Sequence, residues 1–172
     1  MQLAVNELKV RSKKLLKEIR EGQMPSWLSQ SPHVQNEDWQ LKHCQTLLAR
    51  RLGFKDWHHA KQVLSGSLPL EQGADFGTFW YENACGSLVN LWFAHYAQAR
   101  EMLSDPRYCL YPYKHQFVVA EPVYADILGL PAPDTFDWQR LSRNLLEGYP
   151  SEAWDKLALV RLEYKLGRIT GC

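Results

Sequence analysis

The chain of 172 residues is short of the features by which chemistry usually declares itself. Its four cysteines, Cys44, Cys85, Cys109 and Cys172, lie far apart with no C-x-x-C spacing, which speaks against both a structural zinc site and a disulfide framework. Reduced thiols in a cytoplasm are the expectation. Nowhere do about 18 apolar residues run together, so no membrane-spanning helix is expected. The start, MQLAVNELKVRSKK, has no basic region followed by an apolar core, so no secretory leader is expected either. There is no G-x-S-x-G, no phosphate-cradling glycine loop and no H-E-x-x-H. Internal repeats and low-complexity tracts are missing as well. No metal and no cofactor is implied, and an enzyme is the less favoured class.

What is present is an ordinary globular composition, 45% hydrophobic and 23% charged, enriched in aromatics by seven Trp and eight Tyr. The near-zero net charge hides an asymmetry. Met1 to Ser67 holds eleven Lys and Arg against six Asp and Glu, while the remainder holds nine against thirteen. Opposite signs in the two parts predict either that they dock on each other or that the first meets a polyanion.

From Ala4 to Glu21, Val5, Leu8, Leu15, Leu16 and Ile19 return at helical spacing, with Lys9, Lys13, Lys17 and Arg20 on the flank, and Gly22 and Pro25 end the helix. Ser26 to Gln40 reads as a long polar connection pinned by Trp27 and Trp39. A second helix is expected from Glu37 or Asp38 to Leu52, stopped by Gly53, and a short third one capped by Asp56. SGSLPLEQGADFG is turn-rich, so the expected organisation is a basic helical module over 1–66, a joint over 67–77 and an aromatic-rich helical part over 78–172. In that last part Ser87–Leu103 is apolar nearly all round and predicts a central buried helix with His95 inside it. YCLYPYKHQFVVAEP predicts a short β-hairpin. Helices are expected over Pro122–Gly129, Phe136–Leu146 and Glu152–Leu166, the last capped by Ser151. The fold class is mainly α.

Three sets of residues invite a functional reading. Gln45, Ala49 and Gly53 stand where a helix-turn-helix wants small and turn residues, which would present Lys55, His58, His59 and Lys61 to a groove, although position 59 of that motif should be apolar. Adjacent histidines on a helix point about 100° apart, so His58 and His59 do not form a metal pair. The cluster Tyr111, Tyr113, Lys114 and His115 sets aromatic rings beside a cation and an imidazole, as a pocket or a base-stacking surface would; the favoured reading is an amphipathic strand pair, Tyr and Phe inward and Lys114 outward.

His43, Gln45, Leu47, Ala49, Leu52, Gly53, Phe54 and Trp57, with the Leu8–Ile19 helix ahead of them, resemble a small helical module of bacterial proteins that is catalogued with the glyoxalase superfamily. The resemblance covers about a third of the chain, from about residue 8 to 64. It implies a compact accessory module and not glyoxalase chemistry, whose metal is held by His, Glu and Gln side chains spread over repeated strand-rich units that this chain lacks.

The leading expectation is a non-enzymatic interaction or regulatory protein whose Lys9, Lys13, Lys17, Arg50, Arg51, Lys55 and Lys61 contact nucleic acid or an acidic partner, with affinity steeply weakened by salt. One alternative is an enzyme with a pocket near Tyr111, Tyr113, Lys114 and His115. Another is a protein-binding scaffold whose halves are docked by charge.

Overall fold

The structure, a computed structural model, describes residues 2–29, 38–70 and 73–170. Helix α1, Leu3–Arg20, forms as its apolar spacing predicts, with Ala4, Val5, Leu8, Leu15 and Ile19 buried. Its N-terminus has no local side-chain cap. Instead Asp155, from the far end of the chain, accepts hydrogen bonds from the N–H groups of Leu3 (2.8 Å) and Ala4 (3.2 Å), which supplies the negative charge a helix start favours. After a single turn, α2 (Ser26–Ser29), the chain re-enters as α3 (Leu41–Arg51) and α4 (Trp57–Ser65). The second helix thus begins slightly later than expected; Glu37 lies outside the described residues.

Gly53 ends α3 with a φ of +98°, and Asp56 caps α4 by accepting the His59 N–H at 2.9 Å. Gly53 also does something its role as a helix stop does not foretell. Its carbonyl accepts the Thr78 N–H at 2.8 Å, and a Cβ at Gly53 would run into Thr78, one at Gly77 into the Gly53 carbonyl. Two glycines at positive φ therefore let two backbones touch.

The expected central helix over Ser87–Leu103 is not formed. The segment divides into a 3-10 turn (Asn83–Ser87), a strand β1 (Leu91–Phe93), and a short helix α5 (Tyr96–Glu101) that runs into a second 3-10 turn. Its all-round apolarity served a strand that pairs with a neighbour distant in sequence, and such pairing overrides local periodicity. Trp92 is 44% exposed, and His95 is an exposed residue at the start of α5, not a core histidine.

The predicted hairpin is present as β2 (Cys109–Tyr113) and β3 (Gln116–Ala120), and β1 joins it to make an antiparallel sheet of order β1-β3-β2. Helix α6, Val123–Ile127, follows, and then α7, Phe136–Arg140. Helix α7 stops well short of Leu146, because Ser142 and Arg143 take positive φ and the chain is drawn onto the outer edge of β2. There the Leu110 N–H donates to the Arg143 carbonyl and the Leu145 N–H to the Leu110 carbonyl, while the Arg143 guanidinium donates to the carbonyls of Leu103, Asp105 and Tyr108. Helix α8, Glu152–Thr170, closes the chain.

Helix α1 lies against α3, α4 and α8, and the buried apolar residues make one cluster that continues from α1 through the joint to α8. What joins the early and late parts is mainly apolar: each fully buried Leu or Val contributes about 1.5–3 kcal/mol, against about 0–1 for an exposed ion pair. Lys13 and Lys17 of the basic stripe are exposed. No described helix is long and apolar enough to cross a membrane.

Candidate ligand cavity

The joint runs beside the hairpin tip. The Phe76 N–H donates to the Lys114 carbonyl (3.1 Å) and the Lys114 N–H to the Gly77 carbonyl (2.7 Å), which holds Lys114 at its φ of +50°. His115 follows, and its Nδ1–H donates to the Gly73 carbonyl at 2.6 Å. Asp75 sits at the centre of this corner: its carboxylate accepts the Gly77 N–H (2.8 Å), pairs with Lys55 Nζ at 2.8 Å and lies 3.7 Å from His115 Nε2. Burial pulls the Asp75 carboxyl up, but the bonds from Lys55 and Gly77 outweigh it and hold it below the usual carboxylate value.

Beside this corner opens a cavity of about 720 Å³. Its lining includes the apolar groups Leu70, Phe76, Phe117, Leu146 and the ring of Tyr149. The Tyr149 hydroxyl is turned away, donating to the Val63 carbonyl at 3.0 Å and accepting the Leu68 N–H at 3.2 Å, and burial pushes it up to about 12. His95, Tyr96, His115 and Glu147 also line it. Strand β1 and the start of α5 deliver His95 and Tyr96, the hairpin delivers His115 and Phe117, and the turn before α8 delivers Leu146 and Glu147.

Asn144, with no solvent exposure, organises two of these groups. Its Oδ1 accepts the N–H groups of Leu146 (3.0 Å) and Glu147 (3.3 Å), and its Nδ2 donates to the Tyr96 hydroxyl oxygen (2.9 Å) and to Glu147 Oε2 (3.4 Å). A phenol that accepts from Asn144 keeps its own proton to donate elsewhere. The other Glu147 oxygen is 3.5 Å from Arg100, an exposed pair that leaves the carboxylate only loosely engaged.

Of the pocket residues expected from sequence, only His115 reaches this cavity. Tyr111 is fully buried core, its ring 4.4 Å from that of Tyr124 and 5.6 Å from that of Trp138, with a hydroxyl that has no oxygen or nitrogen partner among the described residues. Tyr113 packs edge-on against Tyr81 (5.0 Å) and Trp92 (5.2 Å), and Lys114 folds over the Tyr113 ring at 5.4 Å. Strand burial took the first, and the turn carried the third outward.

Several residues of the expected basic surface have partners within the chain. Lys9 is half-buried on α1; Lys17 lies 3.8 Å from Glu21. Arg50 donates to the Lys55 carbonyl, Arg51 donates to the Trp27 carbonyl and stacks 5.0 Å over its ring, and Lys55 is the partner of Asp75. Lys13 and Lys61 are exposed. His59 turns inward: its Nδ1 accepts the Lys55 N–H at 3.1 Å and its Nε2–H donates to the Asp75 carbonyl at 2.7 Å, which accounts for both ring nitrogens of a neutral imidazole. His58 is exposed, so the pair diverges as adjacent helical residues must.

Sequence reasoning missed Tyr96, Asn144 and Glu147. The first two stand in segments whose local pattern reads as helix interior, and nothing local marks them as neighbours. Cys44, Cys85 and Cys109 are buried free thiols, and burial pushes Cys44 and Cys109 up to about 11, so they are poor nucleophiles. No three His, Cys, Asp or Glu side chains among the described residues are grouped so as to hold a metal.

Fold and site together define a mainly helical protein with a small antiparallel sheet and a largely apolar cavity beside the tip of its hairpin. No family model matches the chain, and no curated protein and no solved structure resembles it.

Proposed function

We propose that this chain is a non-enzymatic binding protein for a small, largely apolar organic molecule held in the cavity between the joint, the hairpin tip and the turn before α8. One observation carries the reading. A volume of about 720 Å³ falls in the range of about 300–1,000 Å³ where ligand sites lie, with a mostly apolar lining and a few polar groups among it. Catalysis has less to stand on, because the lining groups able to attack or to move a proton, His95, Tyr96, His115 and Glu147, form no hydrogen bond with one another among the described residues. Contact with a polyanion also has less to stand on, because Arg50, Arg51 and Lys55 already have partners in their own chain.

The test is fluorescence of N-phenyl-naphthylamine, a neutral probe that brightens in apolar surroundings, titrated against the native protein and an Ala94→Trp variant that fills the cavity. Saturable one-site enhancement is expected for the native chain, weakened at least tenfold in the variant. An absent response, or one that Ala94→Trp leaves unchanged, overturns the reading.

A further inference from the structure

We infer that the molecule this cavity selects carries a protonated amine on an aromatic body, with Glu147 as the group that receives the amine. The inference deepens the binding reading and rests on it. It starts from the composition of the cavity lining. Most of its wall is hydrocarbon and aromatic ring, and the only carboxylate among the described lining residues is Glu147. A carboxylate accepts hydrogen bonds and cannot donate them, so it receives a cation or a neutral donor and repels an anion.

Three features raise this above a stray surface acid. First, Glu147 is positioned: the buried Asn144 amide holds both its backbone N–H and its Oε2. A group fixed in advance loses less freedom when it binds. Second, the rings of Tyr96 and Phe117, 5.7 Å apart between centroids, line the same cavity. Aromatic faces attract an ammonium and not a carboxylate. Third, the cation now beside Glu147 is Arg100, at 3.5 Å and with its side chain 60% exposed. That is a weak, solvent-screened pair, which an amine arriving from the cavity side can supplement or replace. Asn144 is thus a positioning residue, acting on the ligand through Glu147 and Tyr96.

The experiment uses three indole probes that share a body and differ in the head group: tryptamine, tryptophol and indole-acetate. Each is titrated against the full-length protein loaded with N-phenyl-naphthylamine, and displacement is read. Tryptamine is expected to displace the fluorophore at no more than a tenth of the concentration that tryptophol needs, with indole-acetate weakest. In Glu147→Gln the amine-to-alcohol preference falls to about one. In Arg100→Gln, which releases the carboxylate from its exposed partner, the preference grows. These opposed shifts cannot both follow from a general loss of structure. An equal or greater potency for tryptophol or indole-acetate overturns the inference, as does displacement by none of the three, and a preference that survives Glu147→Gln does so too. In each of those cases the fluorophore still binds, and the cavity reading stands. Failure of the native protein to bind the fluorophore at all is the separate failure of that reading.

Discussion

Two fully buried polar side chains, Arg161 on α8 and Asn144 beside β2, are satisfied in opposite ways. Arg161 donates to the carbonyls of Phe79 (3.0 Å), Leu128 (2.9 Å) and Tyr81 (3.4 Å) and to Glu82 at 2.6 Å, so each of its three guanidinium nitrogens is engaged by its own chain. Lys165, 3.4 Å from Glu82, completes the ionic group. Asn144 also uses each of its polar atoms, but two of its partners, Tyr96 and Glu147, line a cavity and retain bonding capacity toward it. The first arrangement is closed and ties α8 to the segment after the joint and to the end of α6. The second is open and holds groups in place for something that arrives. Burial of a polar group alone therefore does not separate a structural role from a functional one; what its partners still have to offer does.

The sharpest way to break this contrast is to remove the closed hub. In Arg161→Met three backbone carbonyls lose their donor and Glu82 keeps only Lys165, which breaks a buried charge cluster on one side. A loss of about 3–5 kcal/mol is expected, read as a lower urea midpoint. In the molecules that remain folded, N-phenyl-naphthylamine binding should be unchanged, because the Arg161 network touches no cavity residue. A loss below about 1 kcal/mol, or a change in fluorophore affinity, would dissolve the distinction.

Asn144→Ala should cost less and disturb more. The N–H groups of Leu146 and Glu147 lose their acceptor, a penalty of about 1–3 kcal/mol, and Tyr96 and Glu147 lose their common anchor. The amine-to-alcohol preference in the indole series should fall toward one even under conditions where the variant is fully folded by circular dichroism. A variant that loses stability and keeps the preference would show that Asn144 is structural in the same sense as Arg161.

The contrast also explains what could be read from the sequence. Helix α1, the stop at Gly53, the Asp56 cap and the β2–β3 hairpin were legible because each is decided by residues within a few positions of one another. Ser87–Leu103 was not, since its strand exists only by pairing with β3, and Phe136–Leu146 was not, since Arg143 draws the chain away from helix by bonds to Leu103, Asp105 and Tyr108. The cavity is assembled from four places in the chain, around Phe76, Tyr96, His115 and Glu147, and only His115 stood in a cluster conspicuous enough to be named. Arg161 carried no signal of its depth. A basic residue in an amphipathic helix ordinarily marks the solvent face, and here the carbonyls that meet it come from the distant Phe79, Tyr81 and Leu128.

Acid sensitivity gives the finest test of the closed hub, because it contains an ionised carboxylate bonded to a buried guanidinium. Burial pulls the Glu82 carboxyl up, but the bond from Arg161 and the charge of Lys165 outweigh it, and the group is held below its ordinary value of 4.5. A carboxyl whose folded value is depressed stabilises the folded state fully above its unfolded value, and that stabilisation is lost as the pH falls through the folded one. Glu82→Gln removes this dependence. The variant should be less stable than the native chain at neutral pH, and the gap should narrow as the pH is lowered from 4.5. Urea midpoints measured stepwise from neutral pH into acid follow this gap. The Glu82→Gln curve should converge on the native one through this window. A Glu82→Gln curve that stays parallel to the native one would mean that the carboxylate is not the acceptor of the Arg161 charge, and that Arg161 is held by backbone carbonyls alone.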